Sequence, residues 1–201
     1  MDIKEYEKVI KLNYEEYCKH LQKKYGLPKD NYFTSNWSPV QRIKRTKDGL
    51  VIHHIMEDRA IMLANKKFAS KCPSEWQYPN NLVYCDLLEH MLLHILICEN
   101  PHVDKKQNQA VGFGGIINFL VPELNDVYSG WITKEEWRLN THKLIINNQN
   151  VYFDLLKRFK KHFPKYEQYL YRSFSEISPK PNILHWTREN DKELFLKIKE
   201  L

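Results

Sequence analysis

Residues 82–98, LVYCDLLEHMLLHILIC, constrain this chain more than any other stretch. Val83, Leu87, Leu88, Met91, Leu92, Leu93, Ile95, Leu96 and Ile97 cover nearly the whole circumference of a helix of four to five turns, so that helix must be buried on most sides. Asn80 or Asn81 is placed to cap its start, and Pro101 follows its end. Within the apolar surface, Asp86, His90 and His94 form one row at i, i+4 and i+8. Burying three polar side chains is costly unless each finds a partner. Two imidazoles one turn apart make a ready bidentate metal site. The plain alternative is a hydrogen-bonded pair of core histidines.

A second source of imidazoles lies upstream at His53-His54. Asp48-Gly49 separates two β-capable runs, which predicts a hairpin with strands over 41–46 and 50–55 and the histidines at the end of the second. A regular strand sends adjacent side chains to opposite faces. Both histidines serve one site only where the strand ends or bulges. One imidazole can then bind a metal while its neighbour handles a proton.

The remaining sequence is mostly helical. Apolar residues at three- and four-residue spacing predict one helix over 3–25, and Gly26 with Pro28 stops it. Residues 56–80 read as irregular, with a helical turn near 60–68. Thr133-Lys134-Glu135-Glu136 is a capping-box pattern opening a helix to about 144. Further helices are expected over 152–161 and 191–199, with SPKPN at 178–182 as a turn or short extended linker. GFGG at 112–115 lacks the context of a phosphate cradle and reads as a turn. Trp76, Trp131 and Trp137 read as core. The expected class is α+β, mainly helical, in three stretches: an N-terminal helical segment (1–39), a core (40–98) and a helical C-terminal region (99–201).

Thirty-one Lys and Arg against 25 Asp and Glu give a net charge of +6, and a basic excess of this kind points to an anionic polymer as partner. Residues 157–165 hold five Lys and Arg, one histidine and no acid, Lys157, Arg158, Lys160 and Lys161 among them, interleaved with aromatics. Such a run suits phosphates and exposed bases; its bland counterpart is a solvated basic face. Arg42 and Arg45 lie nearer the histidines and are further substrate-binding candidates. The four cysteines are far apart with no CxxC, which suggests neither a disulfide framework nor a cysteine zinc knuckle. No run reaches the roughly 18 apolar residues of a membrane span. The charged first ten residues carry no export signal, so the expectation is a cytoplasmic protein with no membrane partner. Glu89 precedes His90, whereas His-Glu-x-x-His needs it to follow, and no GxSxG nucleophile context occurs.

Taken together, His53-His54, Asn81, His90 and His94, framed by Leu50-Val51-Ile52 and Leu82-Val83, resemble the HNH, or His-Me finger, nuclease motif. The likeness covers about residues 40–98 and is nearest to the colicin-type branch with its paired helix histidines. It implies a ββα-metal core flanked by helices and a single-metal endonuclease that hydrolyses phosphodiester bonds, most of all in double-stranded DNA. It further implies a restriction, phage or mobile-element role, a nuclease toxin being another. By the same resemblance His54 falls on the general base and Asn81 on the residue that orients it. His53, His90 and His94 fall on ligands of one divalent metal (Mg, Mn, Ni or Zn), with Asp86 or Glu89 as partners that fix a ligand tautomer. Three nitrogen ligands favour zinc, nickel or manganese over magnesium.

Two features depart from the motif. His53 stands where many such enzymes carry aspartate. The 26 residues between His54 and Asn81 make a longer loop, with Arg59, Lys66, Lys67 and Lys71 in it. The rival reading is a non-catalytic DNA-binding module whose histidines hold a structural zinc. A zinc hydrolase of small molecules is a third, and it requires a closed apolar pocket.

Overall fold

A computed structural model of the chain describes residues 1–106, 109–130, 133–173 and 192–201. The apolar run forms α4 (Leu87–Glu99), in which every residue from 87 to 98 except His90 is buried. It starts later than the asparagines suggest. Asp86 is its N-cap, accepting the Glu89 N–H at 2.8 Å, while the Glu89 carboxylate accepts the Asp86 N–H at 2.7 Å. Residues ahead of that cap are extended, as β2 (Leu82–Cys85).

The partner of β2 is β1 (Val51–His54), antiparallel, in the register Val51↔Cys85, Ile52↔Tyr84, His53↔Val83 and His54↔Leu82. The expected local hairpin does not form. Gln41–Ile43 and Thr46–Asp48 are single 3-10 turns, and Gly49 at φ 76° closes the second. A Cβ on Gly49 would lie 2.5 Å from the Asn140 carbonyl oxygen, so the Asp-Gly signal marks a turn pressed against another helix. Arg45 ties that turn down, donating to Asp48 Oδ2 and to the Tyr25 carbonyl, each at 2.8 Å.

The single helix expected over 3–25 is two, α1 (Ile3–Val9) and α2 (Tyr14–Tyr25). Asn13 forms a capping box with Glu16 and restarts the helix in a new direction. Between the strands run a 3-10 turn (Ile55–Asp58), the short α3 (Lys66–Ala69) and two more 3-10 turns, Ser74–Gln77 and Pro79–Asn81.

Beyond α4, one helical segment comprises α5 (Phe113–Gly115), a π turn (Ile116–Leu120) and α6 (Val121–Tyr128). Pro122 has no N–H for the Asn118 carbonyl and its ring crowds that oxygen; the widened π turn absorbs the mismatch. Then follow α7 (Glu136–Ile145), α8 (Gln149–His162) and α9 (Lys192–Lys199). Thr133 accepts from the Glu135 N–H at 3.1 Å rather than capping a helix at 134. Trp131, the 178–182 turn and the first residue of the expected 191–199 helix fall outside the described residues.

One apolar cluster runs through all three stretches of sequence, with Tyr17 and Leu21, Leu88 and Met91, and Tyr152, Phe159 and Leu194 in the same core. Among the described residues no helix is long and apolar enough to cross a membrane. The protein is mainly helical with one small antiparallel sheet.

Candidate metal centre

Strand β1 delivers His53 to the face of α4 that carries His90 and His94, and the three imidazoles converge. Their ligand atoms all lie within 4.8 Å of one another. Ring centroids are 5.1 Å apart for His53–His90, 5.0 Å for His53–His94 and 4.8 Å for His90–His94. His53 and His94 are buried and His90 is half-buried. Burial, reinforced by the neighbouring imidazoles, holds His53 and His90 well below the usual imidazole range; burial brings His94 down to about 4. At neutral pH all three are therefore uncharged, the form that binds metal.

The proton on His53 can be placed. Tyr14 Oη is 2.7 Å from the Ile55 carbonyl, to which it donates its only hydrogen, and 2.8 Å from His53 Nε2. In the second contact it must accept, so Nε2 carries the proton and Nδ1 the lone pair. Nδ1 is buried and has no hydrogen-bond partner, which is the condition of a ligand atom prepared for a cation. Sequence reasoning assigned this orienting role to Asp86 or Glu89. Both are committed elsewhere: Asp86 to the helix cap and the Met1 ammonium, Glu89 to that cap, Lys24 and Tyr25.

His94 is held from the other side by GFGG. A Cβ on Gly115 would sit 2.4 Å from His94 Cε1, and one on Gly112 (φ 81°) 2.7 Å from the His94 carbonyl oxygen and from Cys98 Sγ. The glycines let the start of the 113–128 segment lie directly on α4. Glu57, just past β1, directs a carboxylate at the same group; burial raises its pKa to about 7. Neither the glycines nor Glu57 stood out as site residues in the sequence.

His54, next in the strand, meets a different set of partners, as strand alternation requires. Its Nε2 is 3.0 Å from Gln77 Oε1, and the Tyr32 ring lies edge-on at 4.5 Å. Gln77 directs its own Nε2 to the Leu63 carbonyl at 3.5 Å, leaving Oε1 as acceptor for a His54 Nε2–H. His54 is 1% exposed and burial lowers its pKa to about 4. The residue expected to orient it, Asn81, instead donates to the Glu75 carbonyl at 2.7 Å, closing the turn that carries Gln77.

The basic candidates divide. Arg158 is spent on Glu99, at 2.7 and 2.6 Å, and on the Ile10 carbonyl; Lys160 pairs with Glu167 at 3.0 Å. Arg42 makes a two-point bond to Asp30, both contacts 2.6 Å, but stays largely exposed. Arg45 is held in its turn by Asp48 and the Tyr25 carbonyl. Lys157 and Lys161 are exposed, as are Lys66, Lys67 and Lys71 of the long loop. The loop that brings Tyr32 to His54 also lines a surface cleft of about 330 Å³ with Lys29, Asn31, Thr34 and Ser35. No family model matches this chain, and neither does any curated protein or solved structure.

Proposed function

We propose that the protein is a metal-dependent endonuclease acting on nucleic acid, with double-stranded DNA as the foremost substrate. The observation that carries this reading is the convergence of three neutral imidazoles, from a strand and a helix, beside a fourth that keeps separate company. The chain order β1, long loop, β2, α4 also suits the ββα-metal arrangement that the HNH resemblance implies.

In this reading His53, His90 and His94 would hold one divalent cation, which when bound supplies positive charge to the scissile phosphate and the departing oxygen. His54 is the base. Gln77 fixes its proton on Nε2, so Nδ1 takes the proton of the attacking water. His54 is 1% exposed, with the Tyr32 ring edge-on against it, so this role requires its surroundings to open to water and phosphate. The cleft lined by the Tyr32 loop carries Lys29, and Arg42 paired with Asp30, on its wall, which offers positive charge for the backbone chiefly from Lys29.

The same burial of His54 favours one second reading, a DNA-binding module with a structural zinc. The two separate on His54→Ala. A nuclease keeps its metal content, fold and DNA binding and loses plasmid nicking by about 10²- to 10⁴-fold, while His53→Ala or His90→Ala loses metal and nicking together. Wild-type protein that binds metal but nicks no plasmid in Mg, Mn, Ni or Zn sinks the enzyme and leaves the module.

A further inference from the structure

Glu57 lies in the 3-10 turn Ile55–Asp58 that directly follows β1, with its side chain 15% exposed. Its Oε2 is 3.6 Å from His53 Nδ1 and 3.5 Å from His94 Nε2. Both separations exceed the roughly 2.7–3.2 Å of a hydrogen bond. The imidazole supplies no proton to the Glu57 contact. The Tyr14 contact has already assigned that imidazole's hydrogen to Nε2, so Nδ1 presents a lone pair to an oxygen that also presents lone pairs. Two acceptors held face to face out of water repel each other unless a proton on the carboxyl or a metal cation lies between them. On the other side of His94, its Nε2 is 3.1 Å from His90 Nε2, a hydrogen bond whose donor is set by the tautomers of the two rings.

The backbone also holds this carboxylate. Leu63 gives its N–H to Glu57, and Met62, immediately before it, stands at φ 60°. That left-handed value is rarely adopted by a residue with a side chain, and it persists only where the surroundings impose it.

We propose that Glu57 is a fourth ligand, binding through Oε2, in a centre of three histidines and one carboxylate that a phosphate oxygen would join as a fifth. The proposal rests on the metal-centre reading above. Neighbouring ligand atoms around a four-coordinate ion with bonds of about 2.0–2.2 Å are separated by roughly 3.3–3.6 Å, and both Glu57 contacts fall in that interval. Three nitrogens and one oxygen suit zinc, or cobalt as its spectroscopic substitute.

The test is metal binding by the full chain, for wild type, Glu57→Gln, Glu57→Asp and His94→Ala. Zinc affinity is measured by chelator competition, and the visible spectrum is recorded with cobalt. The expected result is an unchanged far-ultraviolet circular dichroism for Glu57→Gln and a fall in zinc affinity of about 10- to 100-fold. Its cobalt spectrum should be altered, and Glu57→Asp should lie between it and wild type. Wild-type affinity and spectrum in Glu57→Gln, with binding lost in His94→Ala, would overturn the ligand assignment and leave the histidine centre standing. A wild-type protein that binds neither ion would overturn the centre itself. Should Glu57→Gln fail to fold, the infrared difference between zinc-loaded and metal-free wild type decides: a shifted carboxylate stretch supports the ligand, and a silent carboxylate region refutes it.

Discussion

Tyr14 and His53 are joined by a 2.8 Å contact in which the phenol, having given its hydrogen to Ile55, can only accept. A residue on the second helix thereby decides which nitrogen of a strand histidine is free. Tyr14→Phe removes the acceptor and leaves a buried N–H unsatisfied, at a cost of about 1–3 kcal/mol. It should weaken metal binding by about 10- to 100-fold, as loss of an orienting partner does. Chelator competition and thermal melting check both effects; unaltered affinity would show that the tautomer is set elsewhere.

Gly115→Ala tests the packing against His94. The new methyl would meet the imidazole at 2.4 Å, and the ring has to turn away from His53 and His90. Metal affinity should drop at least tenfold. Alanine is the better helix former by roughly 1 kcal/mol, so a loss here cannot come from helix propensity. Gly114→Ala is the matched control, because its Cβ would find nothing closer than Asn118 Nδ2 at 3.9 Å. Equal affinities in the two variants would refute the account.

The cations of α8 should separate into two kinds. Lys157→Ala with Lys161→Ala should leave the melting temperature nearly unchanged and flatten the log–log salt dependence of DNA binding by about 0.9 for each phosphate no longer neutralised. Arg158→Ala should destabilise the fold by about 3 kcal/mol, because Glu99, nearly buried, is then left with only the His162 imidazole at 3.7 Å. A salt slope identical to wild type in the double lysine variant would make this face a solvated one.

Much of the site was legible and much was not. Helical spacing exposed His90 and His94, and the strand run exposed His53. The start of α4 is later than the asparagines suggest although its signal is present: Asp86-Leu87-Leu88-Glu89 is a capping box, and it places the cap five residues after Asn81. What hid it was β2, whose LVYC is as apolar as the helix that follows, so no change of period marks the boundary. Asp48-Gly49 suggested a hairpin, yet the strand partner comes from residues 82–85, a long-range pairing that no local pattern encodes. Tyr14, Glu57, Gln77 and Gly115 left no spacing signal. Each acquires its role only when a distant element packs against the histidines.

Metal-free protein should lose stability in acid. The folded-state pKa values of His53, His54, His90 and His94 all lie below the unfolded value of about 6.5, with burial as the main cause. Their contribution is whole above about 6.5 and declines as pH falls towards the folded values, because the unfolded chain then binds protons that the native one refuses. Glu57 and Glu89, each raised to about 7, and Asp58, also raised, work oppositely, gaining stability for the fold as pH falls, but they are three groups against four. Melting in chelator from pH 7.5 to 5 should show a steady fall; a flat profile would mean that these imidazoles are protonated in the native state.

His53 and His54 are the same side chain, one peptide bond apart, and nothing in their own chemistry tells one from the other. The division between them follows from parity along β1, which the four rungs to β2 enforce. Shifting those rungs by a single step would turn His54 towards α4 and His53 towards Gln77. A one-residue insertion or deletion near Gly49 therefore threatens the site in a way that a point substitution does not: every group survives, and two of them exchange occupations.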